Sequence, residues 1–202
     1  MIVLGLTGGI AAGKSTVSKM LRRAGAVIWD ADDASRRVVK PGQGGYLALK
    51  DVYGEEIFLP DGTLNRRGLA KKVFGNQEEV MRLNRTLHPF IFEDMEEHLA
   101  RWEKQGEALA VLDVPLLFET GADAHCDEVW VVSCGVDEQL RRVMARDGLT
   151  QEEAAARISH QMSDGERRRR ATRVIDTRES EEDTERFIRV LVDELLHPEE
   201  DA

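Results

Sequence analysis

Four short runs of mainly apolar residues occur along the chain, and each has the length of a buried strand in a parallel sheet. A fifth candidate, at residues 173–176, has two apolar residues between two charged ones. These runs predict strands at residues 2–6, 26–29, 108–113, 128–133 and 173–176. A continuous apolar run, rather than an alternating one, is typical of a strand that is covered on both faces. The pattern therefore predicts buried parallel strands.

Segments between and after these runs carry apolar residues at the three- and four-residue spacing of amphipathic helices. This spacing predicts helices at residues 14–23, 137–146, 151–162 and 181–196. Strands that alternate with helices indicate an α/β fold. The acidic segment at residues 199–201 follows the last helix and is expected to fray.

The middle of the chain has a different pattern. Residues 31–106 show helical spacing and turn sequences, but no convincing strand of a central sheet. A long helix is predicted at residues 81–102, and Pro89 is expected either to break it or to mark a helix start. We interpret this segment as a helical insertion on the α/β core.

Charge and composition narrow the classes of function. The chain has 202 residues and a formal net charge of −10, which disfavours nonspecific binding to nucleic acid. Its two cysteines, Cys126 and Cys134, lack the spacing of a zinc site and suit a reduced, cytoplasmic protein. No apolar run has the length of a transmembrane helix, so neither a membrane nor a nucleic acid is an expected partner.

The strongest chemical signal lies directly after the first predicted strand. Residues 8–15 fit the phosphate-loop pattern G-x-x-x-x-G-K-[ST] and lead into a predicted helix. In such a loop, backbone N–H groups form a nest for phosphate, and the helix N-terminus favours the same negative charge. Lys14 would bridge the β- and γ-phosphates of ATP, and the Ser15 hydroxyl would bind Mg²⁺. The loop residues predicted to bind ATP are Gly8, Gly9, Ile10, Ala11, Ala12, Gly13, Lys14, Ser15 and Thr16.

Carboxylates follow two of the other predicted strands. Asp30, Asp32 and Asp33 come after the second strand, where they could hold Mg²⁺ through water, accept a proton from an attacking hydroxyl, or cap the next helix. Alternation along an extended chain would turn Asp30 and Asp32 to the same side. Asp113 ends a strand that resembles a Walker B strand, and it could contact the magnesium shell or cap a loop.

Arginines are concentrated in the last third of the chain. Arg142 and Arg146 lie four residues apart on a predicted helix, so they share a face and could close over the transferring phosphate. The alternative is that they form ion pairs with Glu138 and Asp147 on an exposed face. The four-arginine run at residues 167–170 is expected to be a solvated helix face.

Taken together, these segments resemble the dephospho-CoA kinase family over nearly the whole chain. The order and spacing of the matching segments are specific to that family. The segments are Leu6-Thr7-Gly8-Gly9-Ile10, Gly13-Lys14-Ser15-Thr16, Asp30-Ala31-Asp32, Asp61-Gly62-Thr63-Leu64 with Arg66, Leu87-His88-Pro89, Val114-Pro115-Leu116-Leu117 with Glu119, Gln139 with Arg142, Arg146-Asp147, and Arg157-Ile158 with Gln161.

The resemblance implies the architecture of a P-loop kinase with ATP and dephospho-CoA as substrates and Mg²⁺ as cofactor. It implies a five-stranded parallel core at about 1–37, 107–136 and 163–202, a CoA-binding helical insertion at about 38–106, and a lid at about 137–162. A monomer or weak homo-oligomer is expected.

The resemblance also implies roles for individual residues. Asp32 would be the general base that faces the ribose 3′-hydroxyl, and the lid would carry Arg142. Arg66, His88 and Leu117 would contact the substrate. The family's usual Asn and Gly near the adenine site have no counterpart here, because residues 176–179 read Asp-Thr-Arg-Glu. The resemblance therefore assigns no adenine contacts between Thr172 and Glu179.

Two other functions share part of this pattern. Another small-molecule or nucleoside kinase of the same fold would have the same phosphate loop and a different insertion. A nucleotide-dependent switch protein would carry N-K-x-D for guanine and D-x-x-G after the Walker B strand. Here Asp113 is instead followed by Val114, Pro115 and Leu116, which favours a kinase.

Overall fold

The computed structural model describes residues 1–73 and 75–198, and the predicted fraying of residues 199–201 lies outside them. Contacts divide the chain into two compact units, Met1–Trp29 with Trp102–Ala202, and Asp30–Arg101. Among the described residues, no helix combines the length and apolar character needed to cross a membrane.

A five-stranded parallel sheet forms the centre of the first unit, as predicted. Its strands are β1 (Ile2–Gly8), β2 (Val27–Asp30), β3 (Leu109–Asp113), β4 (Glu128–Ser133) and β5 (Arg173–Asp176), in the order β2-β3-β1-β4-β5. In register, Leu6 lies beside Asp113 of β3 and Trp130 of β4. This order places β1, and the loop that follows it, in the middle of the sheet.

The first unit also contains helices, of which the first, sixth, ninth and tenth of the chain contact strands of this sheet. They are α1 (Lys14–Arg23), α6 (Leu117–Thr120), α7 (Val136–Asp147), α8 (Gln151–Ser159), α9 (Asp164–Arg170) and α10 (Glu181–Leu196). The helix predicted at 151–162 ends three residues early, and the helix expected around residues 167–170 begins at Asp164. Buried apolar side chains from α1, the strands and α10 form one core, which includes Leu4, Leu6, Val17, Leu21, Trp130, Ile175 and Ile188.

The second unit is helical, as the middle of the sequence predicts. It contains α2 (Ala31–Arg37), α3 (Gly44–Tyr53), α4 (Arg66–Val73) and most of α5 (Gln77–Gln105). Its separate core includes Val38, Val39, Leu49, Tyr53, Ile57, Leu69 and Val73. The predicted boundaries of the insertion and the lid remain predictions.

The expectation that Pro89 breaks or starts a helix is wrong, because α5 runs through it without interruption. Proline removes one backbone donor and usually destabilises a helix interior. Pro89 is exposed, so water can reach the carbonyl left without its donor. Leu83, Leu87, Phe90 and Ile91 pack against the core of the second unit on either side of it. This packing holds the two halves of α5 in one helix.

Candidate active site

The loop between β1 and α1 has the backbone geometry that its sequence predicts. Ala11 and Gly13 both lie in the left-handed region, with φ angles of 59° and 97°. A non-glycine residue held there is strained, and such strain is concentrated at ligand-binding sites. Gly13 precedes α1 and provides no side-chain cap, so the N–H groups at the start of the helix are available to a ligand. The loop therefore presents backbone donors and a helix N-terminus to one point.

Lys14, the lysine of the loop, forms an ion pair with Asp113 at the end of β3. The Asp113 carboxylate is 4% exposed and the Lys14 side chain 19%. The neighbouring backbone is fixed as well, because Val114 N–H donates to the Leu6 carbonyl at 3.0 Å. The two roles considered for Asp113, contact with the magnesium shell and capping of a loop, remain predictions beside this ion pair. The pair holds the ammonium group beside the phosphate loop.

Oxygen donors suited to Mg²⁺ are present next to this pair. Ser15 is exposed, and its hydroxyl makes no hydrogen bond with any residue that the structure describes. Within residues 1–73 and 75–198, no group of three or more His, Cys, Asp or Glu side chains could hold a metal ion. Mg²⁺ in phosphate-transfer sites is held mainly by phosphates and water, with one or two protein ligands. The residues present therefore fit Mg²⁺ that arrives with ATP.

The predicted lid arginines are engaged with neighbouring groups. Arg142 donates to Glu138 at 2.7 Å and to the Thr177 carbonyl at 2.8 Å. Hydrogen bonds from Arg141 and Arg142 lower the pKa of Glu138 to about 2, so this carboxylate stays charged. Arg146 donates to Asp147 at 2.8 and 2.9 Å. The ion pairs considered as the alternative are thus present, and closure over a phosphate remains a prediction.

Thr177 connects the Arg142 side chain to the phosphate loop. Its hydroxyl donates to the Ala12 carbonyl at 2.6 Å and accepts from Arg142 at 3.2 Å. A cavity of about 240 Å³ lies beside this contact. Its lining includes Gly13, Thr16, Met20, Arg142, Thr177 and Glu179. Arg178 turns back onto Asp176 at the end of β5 and does not line the cavity.

Two glutamine side chains hold the loop at Ile10. Gln139 of α7 donates to the Ile10 carbonyl, and Gln161 accepts from the Ile10 N–H, both at 2.9 Å. Gln139 is 3% exposed. Neither glutamine was predicted as a site residue, although both stand in segments that carry the family resemblance. The family resemblance could have pointed to both glutamines. The sequence gives no sign, however, that the two side chains meet at Ile10.

The expectation that residues 167–170 form a solvated face is wrong for Arg167. Arg168, Arg169 and Arg170 are exposed, but Arg167 is 2% exposed. Its Nη1 donates to the Met162 carbonyl, and its Nη2 lies against Gly9. Arg167 faces the sheet because α9 packs on β4. A run of four identical residues offers no periodicity from which to single it out.

The three carboxylates after β2 have different environments. Asp30 caps α2 by accepting from the Asp33 N–H at 2.9 Å, and Asp33 pairs with Arg36 at 2.9 Å. The Asp32 side chain is exposed and has no hydrogen bond or ion pair with any described residue. The alternation argument for Asp32 is wrong, because α2 begins at Ala31 directly after the strand.

The predicted substrate contacts differ in exposure. Arg66 is exposed at the start of α4, and His88 is half-buried on α5 with its ring edge-on to Phe92, 6.2 Å between centroids. Leu117 is fully buried and packs beside Gly5 of β1. A direct contact between its side chain and a substrate would require α6 to move. The roles of all three residues remain predictions.

The packing around Gly9 leads to a first prediction. A methyl group at Gly9 would overlap Nε2 of Gln139 and Nη2 of Arg167, so Gly9→Ala must shift the loop or these side chains. We expect kcat/KM to fall roughly 10- to 100-fold, because small displacements of a reacting geometry are costly. Steady-state kinetics measure this effect.

The matched control for that variant is Gly165→Ala. The nearest atom to the new methyl would be Nη1 of Arg169 at 3.7 Å, an ordinary contact. Activity should be unchanged, and the free energy of unfolding should rise by about 0.4–1 kcal/mol. Equal kinetics for the two variants would show that the packing at Gly9 has no part in the reaction.

Comparisons with known proteins agree with this geometry. The sequence model of a family described as dephospho-CoA kinase matches residues 2–183. The dephospho-CoA kinase of Listeria monocytogenes is 42% identical over 193 residues, covering 96% of this chain and 96% of that protein. The crystal structure of TT1252 from Thermus thermophilus is similar with a TM-score of 0.80 and 37% identity, over 96% and 97% of the two chains. The dephospho-CoA kinase from Campylobacter jejuni has the same fold, with a TM-score of 0.65, 24% identity and 96% coverage of each chain.

Proposed function

From the finding that this chain belongs to the dephospho-CoA kinase family, we propose how its residues carry out the phosphorylation of dephospho-CoA by ATP. The γ-phosphoryl group passes to the ribose 3′-hydroxyl, and the products are ADP and CoA. Such transfer is in line and has a loose transition state with charge on the equatorial oxygens. The task of the protein is therefore mainly to position the reactants and stabilise negative charge.

The observation that carries this proposal is the buried ion pair at the phosphate loop. Asp113 holds the Lys14 ammonium group beside the backbone donors that follow Gly8. Because the charge is fixed before ATP binds, little reorganisation is needed when charge develops in the transition state. When bound, Mg²⁺ would neutralise phosphate charge. Ser15 would be its direct ligand, and Asp113 would lie in its water shell.

Asp32 is the proposed general base. It is the one carboxylate of the group after β2 whose side chain has no partner among residues 1–73 and 75–198. Asp30 and Asp33 are committed to a helix cap and to Arg36. A carboxylate without a competing partner can accept the hydroxyl proton and orient the hydroxyl.

Arg142 and Arg146 are proposed to contact the phosphates of bound ATP. Each would exchange a carboxylate partner on α7 for a phosphate. Arg146 is largely exposed, and surface ion pairs contribute little net stability, so its exchange is easy. Arg142 is partly buried and also bonded to Thr177, so its exchange would cost more. The cavity beside Thr177 is proposed to receive the nucleoside part of ATP. Arg66 and His88 are proposed to contact dephospho-CoA, and the oligomeric state remains a prediction.

A coupled assay of ADP release tests the acceptor. With ATP, turnover of dephospho-CoA should exceed that of adenosine, shikimate and uridine by at least about 100-fold, because a site that hydrogen-bonds its substrate strongly rejects analogues. Comparable turnover of one of the other acceptors would favour another kinase of this fold. Preference for GTP with hydrolysis independent of any acceptor would favour a switch protein.

A further inference from the structure

The guanidinium group of Arg167 is buried without the partners that such a group needs. The residue is 2% exposed, and its Nε has no hydrogen-bond partner among the described residues. Within residues 1–73 and 75–198, only Nη1 donates, to the Met162 carbonyl. No carboxylate in the described part of the chain forms an ion pair with it. Asp164 and Glu119 act on it electrostatically, but each has a closer partner in Ser133 and the Met162 N–H, respectively.

Burial of an unpaired cation is unfavourable. Burial lowers the pKa of the Arg167 guanidinium, because removal from water disfavours its charged form. Buried charges in proteins are normally paired and hydrogen-bonded. A buried arginine with two free donor nitrogens is therefore explained most simply by an anion that binds beside it.

The position of the free donors indicates which anion. Nη2 of Arg167 lies against Gly9, the second residue of the phosphate loop. Gln139 and Gln161 hold the adjoining Ile10 through both its carbonyl and its N–H. The guanidinium thus lies at a fixed part of the loop, at the opposite end from Gly13 and the start of α1. A planar guanidinium with parallel donors is well suited to phosphate oxygens.

We propose that Arg167 is a binding residue for the phosphate chain of the nucleotide, donating from Nε and Nη2 to a phosphate oxygen at the Gly9 end of the loop. This inference rests on the proposed function, in which the loop binds ATP. Arg167 and Lys14 would then bring two cations to the phosphates from two elements, α9 and α1. The same buried charge opposes folding of the unliganded chain and favours ligand binding.

The test compares Arg167→Met, which keeps an unbranched apolar stem and removes the charge, with Arg167→Lys and Arg168→Met. Arg168 is the exposed neighbour on α9, about half exposed, and serves as the matched control. Calorimetry would measure the affinities of inorganic tripolyphosphate, ATP and dephospho-CoA, and urea unfolding would measure the stability of each unliganded variant.

Tripolyphosphate and ATP should bind Arg167→Met about 10- to 100-fold more weakly, the worth of hydrogen bonds to a charged group. Arg167→Lys should bind with intermediate affinity, and Arg168→Met and the dephospho-CoA affinities should be unchanged. The unliganded Arg167→Met variant should be at least as stable as the parent chain. A merely structural arginine would give the opposite result, a clear loss of stability.

Three results would overturn the inference. They are unchanged tripolyphosphate affinity in Arg167→Met, weakened binding of dephospho-CoA alone, or failure of Arg167→Met to fold. Lys14→Ala separates this failure from failure of the proposed function. If Lys14→Ala weakens tripolyphosphate binding and Arg167→Met does not, the loop binds phosphate without Arg167. If neither variant weakens it, the loop is not the phosphate site.

Discussion

Lys14→Ala should lower kcat by about 10²–10³ with both substrates saturating, because it removes a positioned charge partner of the transferring phosphoryl group. The ammonium group of Lys14 is the only full charge that the phosphate loop itself provides. Asp113 holds that group in place before ATP binds. Steady-state kinetics with dephospho-CoA as acceptor measure the loss, and turnover within a factor of three of the parent would remove the phosphate-loop argument.

The control for this variant is Lys19→Ala. Lys19 lies on the same helix, is exposed, and has no hydrogen bond or ion pair with any residue that the structure describes. Lys14→Ala also removes the ion-pair partner Lys14 from the buried Asp113 carboxylate, which destabilises the chain. Unfolding must therefore be followed by circular dichroism, so that kcat refers only to folded protein. A loss that disappears after this correction would indicate a structural role for Lys14.

The parts of the fold that sequence predicts well are those set by local pattern. The apolar runs identify four of the five strands, since buried parallel strands need to be apolar on both faces. The fifth, Arg173–Asp176, has only two apolar residues and could be proposed only as a candidate. The phosphate loop is equally local, because its glycines, lysine and serine are consecutive. The pattern cannot reveal the strand order β2-β3-β1-β4-β5, and the resemblance to a known family implied only a five-stranded parallel core.

The features that sequence does not predict depend on contacts between distant residues. Arg167 is buried and its three neighbours are not, because α9 packs on β4 with one face only. Arg142 contacts Thr177, 35 residues later, and Gln161 contacts Ile10, 151 residues earlier. Pro89 is tolerated because apolar residues around it pack on one core. In each case tertiary packing outweighs the local preference of the residue.

Asp32→Asn should leave the affinity for ATP largely intact and lower kcat by roughly 10²–10⁴, the usual contribution of a positioned general base. Asparagine is nearly isosteric with aspartate but neither carries charge nor accepts a full proton. The loose transition state favours the lower end of this range, since proton transfer is late. Asp32 is exposed on the first turn of α2, so the substitution should change folding stability little.

Two neighbours provide matched controls for this variant. Asp33→Asn removes only an exposed ion pair with Arg36 and should keep nearly full turnover. Asp30→Asn should also stay active, because asparagine caps a helix about as well as aspartate. Turnover and ATP affinity would be measured for all three variants. An inactive Asp33→Asn beside an active Asp32→Asn would move the base by one residue. Full turnover in all three variants would mean that no carboxylate of this segment removes the proton.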